Sequence, residues 1–225
     1  MKKIHLNEHG YHVITEAMKE GFDYNMLRNM SFAKKVRYCK DMLGFPIGNG
    51  SSRMVFQIDD EKCLKLAKNT KGIAQNEQES TVLTDYYKAD YSIFPKMYEN
   101  LSDMDNFQWI VSEYVLPARA KDFKVATGYD WKTVKMFIAT VCARYDRMSR
   151  QLIDDDTMEQ IMEYDEENSG FFHELEDYLC NYQMPVGDYL RLANWGMTKR
   201  YGEPYMVILD DGLTNEIFNK YYVGH

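Results

Sequence analysis

No apolar run in this chain approaches the length that spans a bilayer, so a transmembrane helix is not expected. The start does not read as a signal peptide either, because Met1-Lys2-Lys3-Ile4-His5 leads into polar residues where an apolar centre would be needed. Cysteine is sparse. Cys39, Cys63, Cys142 and Cys180 are scattered and form no C-x-x-C pair, the pattern of reduced thiols in a cytoplasmic protein. Basic residues are outnumbered, with 27 Lys and Arg against 35 Asp and Glu and a net charge of −8. Without a basic surplus there is little to release counterions from a phosphate backbone, which argues against nucleic-acid binding. A nucleotide needs only a local basic pocket, and the charge balance leaves room for one. Neither G-x-S-x-G nor H-E-x-x-H occurs, so hydrolase readings have no support. Repeats, low-complexity tracts and Pro/Gly/Ser linkers are absent as well.

What is present is the composition of an ordinary globular chain, 45% hydrophobic and 28% charged over 225 residues, enough to bury a substantial core. Val13, Ile14, Ala17 and Met18 suggest a first helix ending near Gly21. Ser31 is placed to cap a second, with Phe32, Val36, Cys39 and Leu43 on one face and Gly44 at its end. Met54–Asp59 and Lys62–Ala67 read as a hairpin around Asp59-Asp60-Glu61. Residues 71–88 return to helical spacing through Ile73, Val82, Leu83, Tyr86 and Tyr87. Ser92–Tyr98 and Phe107–Val115 are strand-like. From Asp130 to Tyr182 the pattern is helical, with Trp131–Leu152, an acidic stretch near 156–166 and a helix capped by Ser169 that carries Phe172, Leu175, Leu179 and Tyr182 inward. A second hairpin, Trp195–Lys199 and Tyr205–Leu209, turns at Tyr201-Gly202-Glu203, and a short helix follows near 214–222. This order predicts an α+β chain, a small antiparallel-sheet lobe joined to a mainly helical lobe near 113–119.

Chemistry concentrates at a few places. Gly48-Asn49-Gly50-Ser51-Ser52-Arg53-Met54-Val55 places two glycines just before a strand, where backbone N–H groups can approach phosphates and an apolar residue such as Val55 can roof a base. A Gly-rich hairpin turn is the plainer reading of the same residues. Lys65, flanked by Leu64 and Leu66 inside a strand, needs an anionic partner to offset its desolvation. Glu79, with Val82 and Leu83 on the next turn, lies on the buried edge of the following helix, while Glu77, followed by Ser80 and Thr81, faces outward. A Lys65–Glu79 pair is therefore favoured, the alternative being a lysine that merely snorkels from an edge strand. The His5, His9 and His12 set reads as a solvated terminus, and the acidic runs at Asp154-Asp155-Asp156 and Asp165-Glu166-Glu167 as solvated helix ends.

In this order the residues resemble the protein-kinase-like superfamily, and most of all its small, abbreviated members from bacteria and their phages. The resemblance covers roughly residues 45–116 and 184–214. It implies an N-terminal helical segment over 1–44, a kinase-like N-lobe over 45–116 and a reduced helical C-lobe over 117–225. It also implies ATP and Mg²⁺ as cofactors. Lys65 would contact the phosphates and be held by Glu79, above a loop at Gly48 and Gly50. In Trp109-Ile110-Val111-Ser112-Glu113-Tyr114-Val115, the backbone of Glu113 and Val115 would hydrogen-bond adenine. Val186-Gly187-Asp188 resembles the site of the catalytic aspartate, and Val207-Ile208-Leu209-Asp210-Asp211-Gly212 the Asp-Phe-Gly element, with Asp210 on metal.

Four departures stand against this. Arg53 replaces the third glycine, and Asp211 replaces phenylalanine. The metal-binding asparagine normally lies five residues after the aspartate, where this chain has Ala193, with Asn194 one position further. Either the loop carries an extra residue or Asp188 is not the base. Only thirteen residues follow Gly212, too few for an activation segment and its peptide-binding platform. Two functions follow from the resemblance: a phosphotransferase, or a pseudokinase that binds a protein partner through residues 1–44 or 117–183, in the host cytoplasm if the chain is phage-encoded.

Overall fold

The computed structural model describes residues 3–6, 12–15, 22–87, 93–146, 152–184, 186–210, 212 and 215–221. His9, Ala17, Met18, Gly21, Ser92 and Asp211, and the side chains of Leu83, Tyr86 and Tyr87, lie outside the described residues. The chain forms two compact units, Met1–Ser80 with Lys96–Tyr114, and Thr81–Pro95 with Val115–His225. The α+β class is as expected, with an antiparallel sheet at the centre of the first unit and a mainly helical second unit.

The first unit opens with strands β1 (Lys3–Leu6) and β2 (His12–Thr15), paired antiparallel. This corrects the helix expected at Val13 and Ile14. Val13, Ile14 and Thr15 are three consecutive β-branched residues, whose restricted χ1 rotamers suit a pleated strand better than a helix. Helices α1 (Tyr24–Arg28) and α2 (Phe32–Leu43) follow. Ser31 is the N-cap of α2 without a side-chain cap bond, and Gly44 ends that helix at φ 91°.

The main sheet runs β3 (Gly48–Asn49), β4 (Arg53–Gln57), β5 (Lys62–Ala67) and β6 (Trp109–Glu113) in that order, all antiparallel. Alternation separates its two faces. Met54, Phe56, Leu64, Leu66, Trp109 and Val111 form a core with Leu27, Cys39 and Leu43 from α1 and α2. Phe32, expected on that inner face, is exposed. Arg53, Val55, Cys63 and Lys65 lie on the other face, which helix α3 (Thr70–Tyr87) serves.

The strand expected at Ser92–Tyr98 reduces to a bridge between Met97 and Ser112. Pro95 has no N–H to give a ladder, and the amide of Lys96 goes to the Glu113 side chain at 3.0 Å.

The second unit contains α4 (Ala120–Thr127), α5 (Trp131–Cys142), α6 (Asp155–Glu166), α7 (Phe171–Tyr182), the short α8 (Val186–Tyr189) and α9 (Asn215–Tyr221). Its sheet is β7 (Leu116–Pro117), β8 (Trp195–Arg200) and β9 (Glu203–Ile208). Phe123, Phe137, Phe171, Phe172, Tyr178, Tyr189 and Trp195 are buried together, with Phe123 against Trp195 and Phe137 against Phe172 at centroid distances of 5.5 and 4.7 Å.

Three expectations are corrected here. Helix α5 stops at Cys142 instead of running to Leu152. The N-cap of α7 is Gly170 at φ 67°, while the Ser169 hydroxyl donates to Asp165 at 3.0 Å. Asp165 is buried rather than solvated, and it also accepts the His173 amide at 3.0 Å. Among the described residues no helix is long and apolar enough to cross a membrane.

A Cβ built on Gly72, in the first turn of α3, would lie 2.2 Å from the Ser52 carbonyl oxygen, which accepts the Lys68 amide at 2.7 Å. Alanine adds helix propensity worth up to about 1 kcal/mol, but this overlap is with backbone and outweighs it, by about 1–3 kcal/mol. Gly72→Ala should therefore lower the urea midpoint, whereas Gly187→Ala, with nothing within 4 Å of the new Cβ, should not.

Candidate nucleotide and metal site

In the first unit the glycine loop lies flat against its own strand. Gly48 pairs with Val55, and the Gly50 amide bonds the Arg53 carbonyl at 3.0 Å. Lys68 secures the loop from below, with Nζ donating to Gly50 O at 2.7 Å and Asn49 Oδ1 at 3.1 Å. Neither glycine is demanded by the chain itself. A Cβ on Gly50 would meet only Arg53 O, at 3.8 Å, and one on Gly48 would touch Val55 at 3.4 Å. The side-chain-free surface of this loop is thus open to something other than protein.

Val55 is half-buried and sits directly across the ladder from Lys65. Lys65, 5% exposed, donates from Nζ to Oε1 of the fully buried Glu79, so the expected ion pair is present. Arg53 also turns inward: its Nη1 donates to Glu79 Oε2 at 2.5 Å and to Asn76 Oδ1 at 3.2 Å. Asn76 Nδ2 donates in turn to the carbonyl oxygens of Phe107 at 2.8 Å and Lys65 at 3.4 Å. Ser52 Oγ bonds Gln75 Oε1. The inward face of α3 is accordingly polar through Gln75, Asn76, Glu79 and Ser80, while Ile73, expected inside, is only half-buried. Arg53 and Asn76 escape a sequence reading. The departure of Arg53 from the glycine pattern signals a defect, not an inward bond, and an asparagine between Gln75 and Glu77 carries no mark of burial.

At the end of β6 the Glu113 amide donates to Lys96 O at 2.7 Å, and the Tyr114 amide to Glu61 O at 2.7 Å. Val115, the next residue, is buried.

In the second unit Asp188 belongs to α8 rather than to an open loop. Tyr189 beside it is anchored by its hydroxyl to Tyr178 Oη at 2.8 Å and by its carbonyl to Trp195 Nε1 at 2.9 Å. A 3-10 turn follows at Leu192–Asn194, and Asn194 Nδ2 donates to the Asp188 carbonyl at 3.1 Å. The Leu209 amide donates to Asn194 O at 2.8 Å, which fixes the chain at Asp210 beside the same turn.

Burial raises the Asp188 carboxyl above its ordinary value. The Arg191 guanidinium, 3.3 Å away, opposes this, and the Asp210 charge adds to it. Asp188, Asn194 and Asp210 are therefore brought together. Because Nδ2 of Asn194 is committed to a carbonyl, its Oδ1 is the atom that could serve as an oxygen ligand, and the Asp210 carboxylate would be a second hard donor. Among the described residues no group of three or more His, Cys, Asp or Glu is placed to hold a metal ion. Mg²⁺ does not require one, since it retains several waters and takes the rest of its shell from phosphates.

No known protein-family model matches this chain. No curated protein matches it either. One solved structure found to be similar is the ternary complex of APH(2″)-IIa with streptomycin and ATP, at 10% identity and a TM-score of 0.37, over 81% of this chain and 71% of that one. A likeness of that strength specifies neither fold nor activity.

A carboxyl with a raised folded value holds its proton more tightly in the folded chain than in the unfolded one. Its contribution to stability is full below the unfolded value and is lost as pH rises through the folded one. Replacing Asp188 with Asn removes that loss. In thermal melts from about pH 4 to 7, Asp188→Asn should match wild type in acid and equal or exceed it at neutrality. A deficit that widens toward pH 7 would contradict the assigned cause.

Proposed function

We propose that this chain is an ATP- and Mg²⁺-dependent phosphotransferase of the protein-kinase-like superfamily. The buried Lys65–Glu79 pair carries the reading. Apolar side chains of similar volume would fill the same space without the cost of desolvating two charges, so charges kept in the middle of a strand point to a ligand they serve. In this reading Lys65 Nζ holds a phosphate oxygen, and Glu79 sets where Nζ sits. The loop at Gly48 and Gly50 brings backbone to the phosphates, and Val55 covers the base. The backbone of Glu113 and Val115 holds the adenine edge.

Asp188 accepts the proton of an acceptor hydroxyl. Its raised proton affinity makes it a better base than an ordinary carboxylate, which is worth about 10²–10⁴ in rate for a well-placed group. Asn194 Oδ1 and Asp210 hold the metal, which when bound neutralises charge on the phosphate oxygens. The other reading is a pseudokinase that scaffolds a protein partner through residues 1–44 or 117–183, and Arg53 in place of a loop glycine favours it.

Wild type should gain melting temperature with ATP and Mg²⁺ through mass action. Gly50→Ala should leave ligand-free stability within about 1 kcal/mol yet shrink that gain. Lys65→Ala and Asp210→Ala should each cut ADP formation by about a hundred- to a thousandfold. If wild type shows no nucleotide-dependent shift, the proposal fails. A shift without ADP formation under any acceptor condition leaves the pseudokinase.

A further inference from the structure

We propose that Arg53 is a positioning residue for Lys65, acting through Glu79, and not merely a lost glycine. The inference rests on the nucleotide-binding reading above. Glu79 divides its two oxygens, giving Oε1 to Lys65 and Oε2 to Arg53. Arg53 also reaches Asn76 Oδ1, one helical turn before Glu79, so one guanidinium grips two positions of α3. The orientation of Asn76 is forced, because its Nδ2 is taken by the carbonyls of Phe107 and Lys65. A glutamate side chain has three rotatable bonds, and the Arg53 contact removes the freedom of the last of them. With Oε2 held, Oε1 presents a fixed point to Lys65 Nζ.

The same arrangement decides what happens when Lys65 serves a phosphate. Lys65 must then share its N–H groups between Glu79 and the ligand. Arg53 keeps Glu79 compensated meanwhile, so the carboxylate has no need to follow Lys65. Without Arg53 the compensation of Glu79 would fall on Lys65 and draw it back from the phosphate. The direction is therefore weaker nucleotide binding, and its cause is distinct from any loss of fold stability.

Titration calorimetry of the full chain with ATP and Mg²⁺ tests this, with the ligand-free melting temperature recorded for every variant. Arg53→Met keeps side-chain length and removes the charge. It should weaken binding by about ten- to a hundredfold, the range for a lost charged hydrogen bond. Arg53→Lys retains a cation for Glu79 but not the planar, longer-reaching guanidinium whose Nη1 spans Glu79 and Asn76, and should fall between Arg53→Met and wild type. In a Glu79→Gln background Arg53→Met should add no further loss, since the group it acts through is gone.

Losses that sum in the double variant would overturn the inference. So would an Arg53→Met protein that melts lower yet binds as tightly as wild type. If Arg53→Met does not fold, Arg53→Lys decides, and wild-type affinity in that variant refutes the role. Lys65→Ala separates this inference from the reading it rests on. If wild type does not bind, or Lys65→Ala binds like wild type, the nucleotide assignment of Lys65 falls and takes this inference with it. If Lys65→Ala is impaired and Arg53→Met is not, only the role of Arg53 falls.

Discussion

Withdrawing the Glu79 carboxylate from water costs several kcal/mol unless partners replace the lost hydration, and in the first unit much else is arranged around meeting that cost. Lys65 comes from the centre of β5 and Arg53 from the start of β4, so the carboxylate joins two neighbouring strands to α3. Asn76 extends the join to the backbone of Phe107, just before β6. The close approach at Gly72 and the Ser52–Gln75 bond bring the end of the glycine loop into the same assembly. Because the Arg53, Lys65 and Glu79 contacts lie on one face of the sheet, the other face is free to be largely apolar. Helices α1 and α2 pack Leu27, Cys39 and Leu43 there.

The second unit solves a different problem by different means. Its acidic turn is held in place by aromatic groups and backbone bonds, with the Arg191 guanidinium beside Asp188. Tyr189 links α7 to β8 through the Tyr178 hydroxyl and the Trp195 indole, and Asp188 and Asn194 flank that link on either side. Trp195 packs against Phe123 and Phe171 in the core, so the position of the acidic turn is inherited from large rigid rings. One consequence is that the Asp188 carboxyl, whose proton is held more tightly through burial, sits in a turn that the rings keep in place.

Where local chemistry and tertiary demand agreed, the sequence was legible. The hairpin at 54–67 could be read because alternation and the Asp59-Asp60-Glu61 turn point the same way. The Lys65–Glu79 pair could be read because a lysine between leucines in a strand has few ways to be tolerated. Helix and strand were confused at Val13 and Ile14, where spacing suggests one and β-branching favours the other. Helix α4 went unread, although Gly128, at φ 78°, marks its end in the way Gly44 marks that of α2. Arg53 was illegible for a physical reason. Its partners are 23 and 26 residues away on a helix whose buried face is polar, so no local pattern reports them. Asp165 misled in the same way: its acidic neighbours suggest solvent, while its oxygens cap the start of α7.

The 3-10 turn at Leu192–Asn194 has a wider meaning than its size suggests. Its tighter winding gives more rise per residue than an α-helix, so three residues carry the chain into β8 while the Asn194 side-chain amide stays bonded to the Asp188 carbonyl. The two side chains are therefore tied through one short stretch of backbone, and a residue inserted or removed between them would shift one against the other.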